Sequence, residues 1–275
     1  MGDALGRHAA ALLAAAERDL GERADLARTK TGAAHVALTR SFAIYLGEDE
    51  AARSRLAREA ALLDWAAGQE IAVPQVVELT ADRLVTRRVA ADEQRGAAFV
   101  AAAVAAADSV ARATPPAPAL LQTSSSRRAP RRTVLVRAAR MARSPLSLAE
   151  FRRARAGLGR LHDSTLAHGD FHPRNLLYDS AAGVVRLVDW ATVGPGPAGA
   201  DLLSLLPQLP HPDDRAALLA AVRARVADEQ HLAALRHWMA VRYVADLVTG
   251  RPRRRWQQER IGPALDRMAE SRPGS

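Results

Sequence analysis

Three side chains between residues 170 and 189 have the types and the spacing that phosphoryl transfer requires. Asp170 is followed by Asn175 five positions later, and Asp189 ends an apolar run further on. A positioned carboxylate can orient an acceptor hydroxyl and take its proton as the oxygen attacks phosphorus. A second carboxylate and an amide offer the oxygen ligands that Mg²⁺ prefers. The pattern therefore predicts phosphoryl-transfer chemistry within this stretch.

A predicted β-hairpin would bring Asn175 and Asp189 together. Residues 175–178 and 184–188 are short apolar runs typical of strands, and residues 179–183 have the composition of a turn. Because a hairpin places its two ends side by side, Asn175 and Asp189 can face one metal site.

The motifs in this region resemble those of the aminoglycoside phosphotransferase-like family of the protein-kinase-like fold. That family typically writes HGD-x-H-x-x-N, then an IDW or VDW segment, then G-x-x-x-x-DL. The chain has the first motif at residues 168–175, VDW at residues 188–190 and the third motif at residues 196–202, in the same order and spacing. At the level of sequence motifs, the resemblance covers about residues 147–206. For the rest of the chain, only the expected architecture resembles that of the family.

The resemblance implies a bilobal α+β fold. A small β-rich N-lobe, residues 1–88, would bind the nucleotide. A larger, mostly helical C-lobe, residues 89–275, would carry the catalytic loop, the metal-binding hairpin and the acceptor site. The implied cofactors are ATP, or GTP, together with Mg²⁺.

The resemblance also implies roles for five residues. Asp170 would be the catalytic base, and His168 and His172 would shape the loop around it. Asn175 and Asp189 would be the magnesium ligands. Each histidine taken alone would also fit a structural role, so their assignment depends on the motif as a whole.

The predicted nucleotide-binding residues of the N-lobe follow the family less closely. A kinase-like lobe places a lysine on its third strand, paired with a helix glutamate, but residues 42–46 contain no lysine. Glu59 is the candidate glutamate and Lys30, the only lysine, is the candidate cation upstream. Both also fit ordinary surface charges. Thr86 and Arg88 lie in the segment that is expected to pass the adenine.

Apolar periodicity predicts the elements that position these residues. A strand pair with a turn at residues 39–41 is expected within residues 35–46, and a further strand at 84–89. Helices are expected at residues 3–20, 48–67, 97–113, 147–162, 213–227, 230–249 and 257–270. Asp201 is expected to cap the helix that follows the third motif and to brace the catalytic loop.

Composition narrows the class of protein and of partner. Lysine and arginine total 39 against 30 acidic residues, a net charge of +9, and there is no cysteine. Disulfides, thiolate metal sites and cysteine nucleophiles are therefore excluded. With no apolar run long enough to span a bilayer, we expect a soluble, cytoplasmic protein. The positive charge favours a neutral or anionic acceptor over a polycation.

Four functions are compatible with the sequence. The first is an ATP-dependent kinase acting on the hydroxyl of a small molecule, such as an antibiotic or another secondary metabolite. The second is a kinase of peptide Ser or Thr side chains, docked through the arginine-rich loop 127–132. The third is a pseudokinase that binds a nucleotide or a protein partner. The fourth, nucleic-acid binding, is disfavoured because the basic clusters lack interleaved aromatic residues.

Overall fold

The structure is a computed structural model, and it describes residues 7–29, 34–121, 161, 165–226, 228–236 and 238. The chain divides into two compact units. Unit 1 comprises residues 1–93, 113–121 and 174–192, and unit 2 comprises residues 94–112, 122–173 and 193–275. The predicted boundary at residue 88 stays a prediction.

Unit 1 contains a five-stranded antiparallel sheet with the strand order β1-β2-β3-β5-β4. The expected strand pair at residues 35–46 is confirmed, because the two strands pair antiparallel. The Thr39 hydroxyl closes the turn between them by accepting a hydrogen bond from the Phe42 amide at 2.8 Å. The strands are β1 (Asp25–Thr29), β2 (Ala34–Leu38), β3 (Phe42–Gly47), β4 (Val76–Leu79) and β5 (Arg83–Arg87).

Two helices of unit 1, α1 (Arg7–Leu20) and α2 (Glu50–Gly68), pack against the sheet. Asp49 begins α2, since its side chain accepts a hydrogen bond from the Ala52 amide at 2.6 Å. The predicted apolar side of α2 is buried, and α1 contributes Leu13 to a core shared with Ile44.

A partly buried pair of His35 and Glu48 links the start of α1 to β2. His35 Nε2 lies 3.0 Å from one oxygen of Glu48, whose other oxygen accepts a hydrogen bond from the Ala9 amide at 3.1 Å. The hydrogen bond with His35 holds the pKa of Glu48 below its usual value of 4.5. A carboxylate with a lowered pKa stabilises the folded state above its unfolded pKa, and this contribution is lost as the pH falls through the folded value.

We therefore expect Glu48→Gln to lower the free energy of unfolding by on the order of 1 kcal/mol near neutral pH. The difference from the wild type should shrink as the pH falls from 4.5 through the lower pKa of Glu48 in the folded state, because the carboxylate is then protonated in the folded protein as well. Urea unfolding of both proteins over a pH series measures this. A difference that persists undiminished in acid would contradict the assignment.

A hairpin of unit 1 follows the motif at residues 168–175. It consists of β7 (Leu176–Asp179) and β8 (Val184–Leu187), as predicted to within one residue, and leads into a 3₁₀ turn at Trp190–Thr192. The Leu187 amide donates to the Ala72 carbonyl at 2.9 Å, and Ser180 donates through its amide to Asp92 at 2.8 Å.

Unit 2 is mostly helical in its described part. Helix α3 (Gly96–Arg112) confirms the helix expected at 97–113, and its first amide donates to the buried Asp214 carboxylate at 2.9 Å. The other elements are a two-stranded pair of β6 (Thr165–Ala167) with β9 (Gly194–Gly196), and the helices α4 (Ala200–Leu205) and α5 (Pro212–Arg223).

The α+β fold class is confirmed, since a β-sheet region precedes a helical one. Among the described residues, no helix is both long enough and apolar enough to cross a membrane. The predicted helices at 147–162 and 257–270, the loop 127–132 and Lys30 lie outside the described residues, apart from Leu161.

Candidate functional site

The loop that carries Asp170 follows β6 in unit 2 and needs an unusual backbone. Gly169 has φ +80, in the left-handed region that side chains with a Cβ adopt only with strain. Glycine adopts this conformation without strain, and the turn that it forms leads from the end of β6 to Asp170. The side chain of Asp170 is 43% exposed and can therefore be reached by a bound molecule.

Asp201, in the first turn of α4, binds the backbone of this loop. Its carboxylate accepts hydrogen bonds from the His168 amide at 2.7 Å and the Gly169 amide at 3.0 Å. Asp201 is buried, so these bonds are shielded from water. The predicted brace is thus observed. The capping prediction is wrong in position, because Gly199 is the N-cap of α4 and Asp201 lies inside its first turn.

Both predicted histidines lie beside Asp170, in different surroundings. His168 is fully buried and packs edge to face on Phe171, with ring centroids 6.3 Å apart. His172 is partly exposed, and its Nε2 lies 3.6 Å from Asp170 Oδ2. His168 therefore contacts the interior of unit 2, whereas His172 can restrain the orientation of the Asp170 carboxylate.

Two further side chains that sequence reasoning missed fix the end of the loop. The Ser204 hydroxyl on α4 donates to the Phe171 carbonyl at 2.6 Å. The Gln94 side-chain amide donates to the Pro173 carbonyl at 2.7 Å. With Asp201, these contacts hold the backbone on both sides of Asp170, which is the preorganisation that a catalytic group requires.

In unit 1, the hairpin brings Asn175 and Asp189 to the same end, as predicted. Leu176 pairs with Leu187, and the Val188 amide donates to the Asn175 carbonyl at 3.1 Å. Asn175 is buried and Asp189 is partly exposed. The two side chains supply an amide oxygen and a carboxylate, a donor set that fits Mg²⁺.

A protein-only metal cage is not part of this arrangement. The described residues contain no cluster of three or more His, Cys, Asp or Glu side chains that could hold a metal ion. A site with two protein ligands is the arrangement in which Mg²⁺ keeps waters and phosphate oxygens as its remaining ligands.

Asp189 itself has a strained backbone, with φ +65. For a residue with a side chain this conformation costs about 1 to 2 kcal/mol, although aspartate tolerates it better than most. The next residue, Trp190, is fully buried and packs edge to face on Trp65 of α2, with ring centroids 5.7 Å apart. Packing of this kind can hold the strained residue in place.

Helix α2 also binds the backbone after Asp189 through two charged side chains. Both carboxylate oxygens of Glu59 lie 3.1 Å from the Trp190 amide, which donates to them. The Arg58 guanidinium donates to the Ala191 carbonyl at 3.0 Å and, through Nε, to the Leu120 carbonyl at 3.1 Å. No sequence pattern points to Arg58, because its partners are 62 and 133 residues away.

The predicted nucleotide-binding residues are spread over several elements of unit 1. Thr86 lies on β5 opposite Ala43, with its hydroxyl buried. The Arg88 backbone amide donates to the Ser41 carbonyl at 2.9 Å, and the Arg88 guanidinium donates to the Thr39 carbonyl at 2.6 Å. Because the Arg88 amide is engaged in the sheet, the base-binding prediction for this segment cannot depend on it.

Most of the described acidic side chains of unit 2 that could attract a cationic acceptor are engaged in structural contacts. Asp214 binds the first amide of α3 at 2.9 Å, Asp228 accepts from the His231 amide at 2.7 Å, and Glu229 lies 3.4 Å from Arg223. Asp108 forms an ion pair with Arg225, which raises the pKa of that arginine. Asp246 lies outside the described residues.

A β-sheet region, a braced loop ending in an aspartate, and a hairpin flanked by an asparagine and an aspartate define a phosphotransferase of the protein-kinase-like fold. The model of the phosphotransferase enzyme family matches residues 28–240. The chain belongs to this family, so the predicted family and enzyme class are both confirmed.

Solved structures with the same fold cover nearly the whole chain. One is an ADP-bound aminoglycoside phosphotransferase APH(2'')-Ib, with 11% identity and a TM-score of 0.62, covering 95% of this chain and 98% of its own. Another is the macrolide 2'-phosphotransferase MphH from Brachybacterium faecium, with 17% identity and a TM-score of 0.59, covering 96% and 99%. A third is a choline/ethanolamine kinase family protein from Mesorhizobium loti, with 18% identity and a TM-score of 0.62, covering 97% and 95%.

These likenesses confirm the predicted kinase-like fold. A search of the curated proteins found no match.

Proposed function

We propose that this protein transfers the γ-phosphoryl group of ATP to a hydroxyl group of a small molecule, of the antibiotic or secondary-metabolite class. The observation that carries the proposal is the loop at residues 168–170. There a partly exposed Asp170 follows two amides that a buried Asp201 holds in place. Nucleotide use is supported by the similar aminoglycoside phosphotransferase structure, which contains bound ADP. A hydroxyl acceptor is supported by the substrates in the names of the similar macrolide 2'-phosphotransferase and choline/ethanolamine kinase family structures.

In this proposal Asp170 accepts the proton of the acceptor hydroxyl. The acceptor oxygen forms a bond to the γ-phosphorus, the bond from that phosphorus to the β–γ bridging oxygen breaks, and ADP leaves with the electron pair. His172, 3.6 Å from Asp170, restrains the carboxylate during the transfer. His168 supports the loop from the interior.

Asn175 and Asp189 are the residues that would hold Mg²⁺. When bound, the ion neutralises charge on the nucleotide phosphates. Thr86 and Arg88 would form the nucleotide side of unit 1, with Lys30 as the predicted phosphate cation, whereas Glu59 binds the backbone amide that follows Asp189. GTP is the alternative nucleotide.

The charge of unit 2 favours a neutral or anionic acceptor. The excess of basic residues lies wholly in unit 2, because unit 1 has more acidic than basic residues. The described carboxylates of unit 2 that could attract a polycation are mostly bound to amides or arginines, as Asp108, Asp214 and Glu229 are. A multiply charged amine would therefore find few available carboxylates among the described residues of unit 2.

Asp189→Asn tests the nucleotide part of the proposal. We expect the wild type to bind ATP in the presence of Mg²⁺ and to hydrolyse it slowly. The variant should bind Mg²⁺-ATP about tenfold or more weakly, because a neutral amide replaces an anionic ligand. Calorimetric titration with ATP and measurement of phosphate release give the two results.

The matched control is Asp64→Asn, which removes the same charge from an exposed position on α2. It should leave ATP binding unchanged. If the wild type binds no nucleotide, the phosphotransferase proposal fails. If it does bind, screening phosphate transfer to neutral, anionic and polycationic alcohols tests the acceptor class.

A further inference from the structure

We propose that Arg58 and Glu59 act as positioning residues that hold Asp189 in the geometry required for binding Mg²⁺ together with a nucleotide. We refer to this pair as the α2 clamp. The inference rests on the proposed function, because it assumes that Asp189 is a magnesium ligand. All of its contacts lie within unit 1.

The first contact of the α2 clamp is directly beside the metal-binding residue. Glu59 accepts a hydrogen bond from the amide that joins Asp189 to Trp190, and both carboxylate oxygens are 3.1 Å from that nitrogen. Hydrogen bonds with one ionised partner are stronger than neutral ones. This bond fixes the peptide plane after Asp189, which determines the direction of its side chain.

The second contact fixes the other side of the same turn. Arg58 donates to the Ala191 carbonyl at 3.0 Å and to the Leu120 carbonyl at 3.1 Å. Since guanidinium is planar and its donors have a fixed geometry, two carbonyls held by one group restrain each other. The turn at 190–191 is thereby tied to α2 and to the segment 113–121.

The strain at Asp189 explains why two such contacts are needed. Its φ of +65 is disfavoured for any residue with a side chain, so the isolated hairpin would relax to other conformations. The α2 clamp and the packing of Trp190 on Trp65 act on the two residues that follow. They act through the backbone atoms of residues 190 and 191 and through the Trp190 ring.

The α2 clamp gives Glu59 a role that does not require a lysine on β3. That strand contains no lysine. The carboxylate of Glu59 is instead directed at the backbone of the metal-binding turn. In this chain α2 therefore restrains the proposed metal ligand by binding the backbone of the two residues that follow it.

The test separates metal binding from nucleotide binding. ATP binding to the full chain is titrated by calorimetry over a series of Mg²⁺ concentrations, and again in EDTA. Arg58→Met and Glu59→Ala are each expected to raise the Mg²⁺ concentration for half-maximal binding about tenfold. The affinity for metal-free ATP should stay within about twofold of the wild type, which a general loss of structure would not allow.

Glu59→Gln keeps one acceptor oxygen in nearly the same shape. It should show a smaller shift, about threefold, since a neutral acceptor forms the weaker bond. The matched controls are Arg55→Met and Asp64→Asn, which alter exposed charges on the same helix and should leave the Mg²⁺ dependence unchanged. Thermal unfolding without ligand identifies any variant that fails to fold.

Two results would overturn the α2 clamp: an unchanged Mg²⁺ dependence in folded variants, or equal losses of ATP affinity with and without the metal. A wild type that binds no nucleotide at all would instead contradict the proposed function. The two failures are therefore distinguishable in one set of titrations.

Discussion

Asp170→Asn is expected to lower kcat by roughly a thousandfold, since general base catalysis contributes about 10² to 10⁴ in rate. The asparagine is nearly isosteric but cannot accept the proton of the acceptor hydroxyl. ATP affinity should remain close to that of the wild type, because the proposed nucleotide and metal residues are unaltered. Steady-state kinetics with an identified acceptor, together with calorimetric ATP binding, measure the two quantities.

The control for this change is Asp213→Asn, which removes an exposed carboxylate from the first turn of α5. It should change neither kcat nor ATP affinity. If Asp170→Asn retains most of the wild-type rate, Asp170 is not the base. If the variant also retains its function in the cell, the pseudokinase interpretation gains support over catalysis.

Asp201→Ala should destabilise the protein strongly for a change to a single polar side chain. Its carboxylate is buried and accepts from the His168 and Gly169 amides at 2.7 and 3.0 Å, so the change leaves two amides without their partner. We expect the free energy of unfolding to fall by about 2 to 4 kcal/mol. Because the amides lead directly to Asp170, kcat should fall as well.

Asp201→Asn sharpens this prediction. Asparagine offers one acceptor oxygen, but its NH₂ group would face the second amide donor, so the loss of stability should approach that of alanine. Urea unfolding gives the free energies, with Asp213→Asn again as the control. A loss below about 0.5 kcal/mol would show that the two hydrogen bonds are replaced, for example by water.

The hairpin between the two predicted metal ligands and helix α2 were the most predictable elements from sequence. The hairpin has a clear strand-turn-strand pattern between Asn175 and Asp189, and the observed strands end within one residue of the expected ones. The helix expected at residues 48–67 is observed as α2 (Glu50–Gly68), with its ends within two residues of the expected ones. In these segments short-range periodicity and turn chemistry agree, so local sequence is sufficient.

Residues that act across long sequence distances were not predictable. Arg58 looks like any arginine on a charged helix, and only the fold brings it to carbonyls 62 and 133 residues away. Strand β6 is only three residues long, and its pairing with β9 is non-local, so no periodicity indicates it. Asp214 resembles an ordinary surface charge on a helix, but its carboxylate is buried and binds the first amide of α3.

The α2 clamp has an evolutionary consequence. Glu59 and Arg58 bind an amide and a carbonyl, which every residue other than proline provides. The side chains at positions 190 and 191 are therefore not specified by these contacts, whereas Trp190 is constrained by its packing on Trp65 and by the hydrogen bond that its indole donates to the Leu187 carbonyl at 3.3 Å. Substitutions at residue 191 should therefore preserve the shape of the metal-binding turn during evolution. A substitution of Arg58 or Glu59 should instead require a compensating substitution elsewhere on α2.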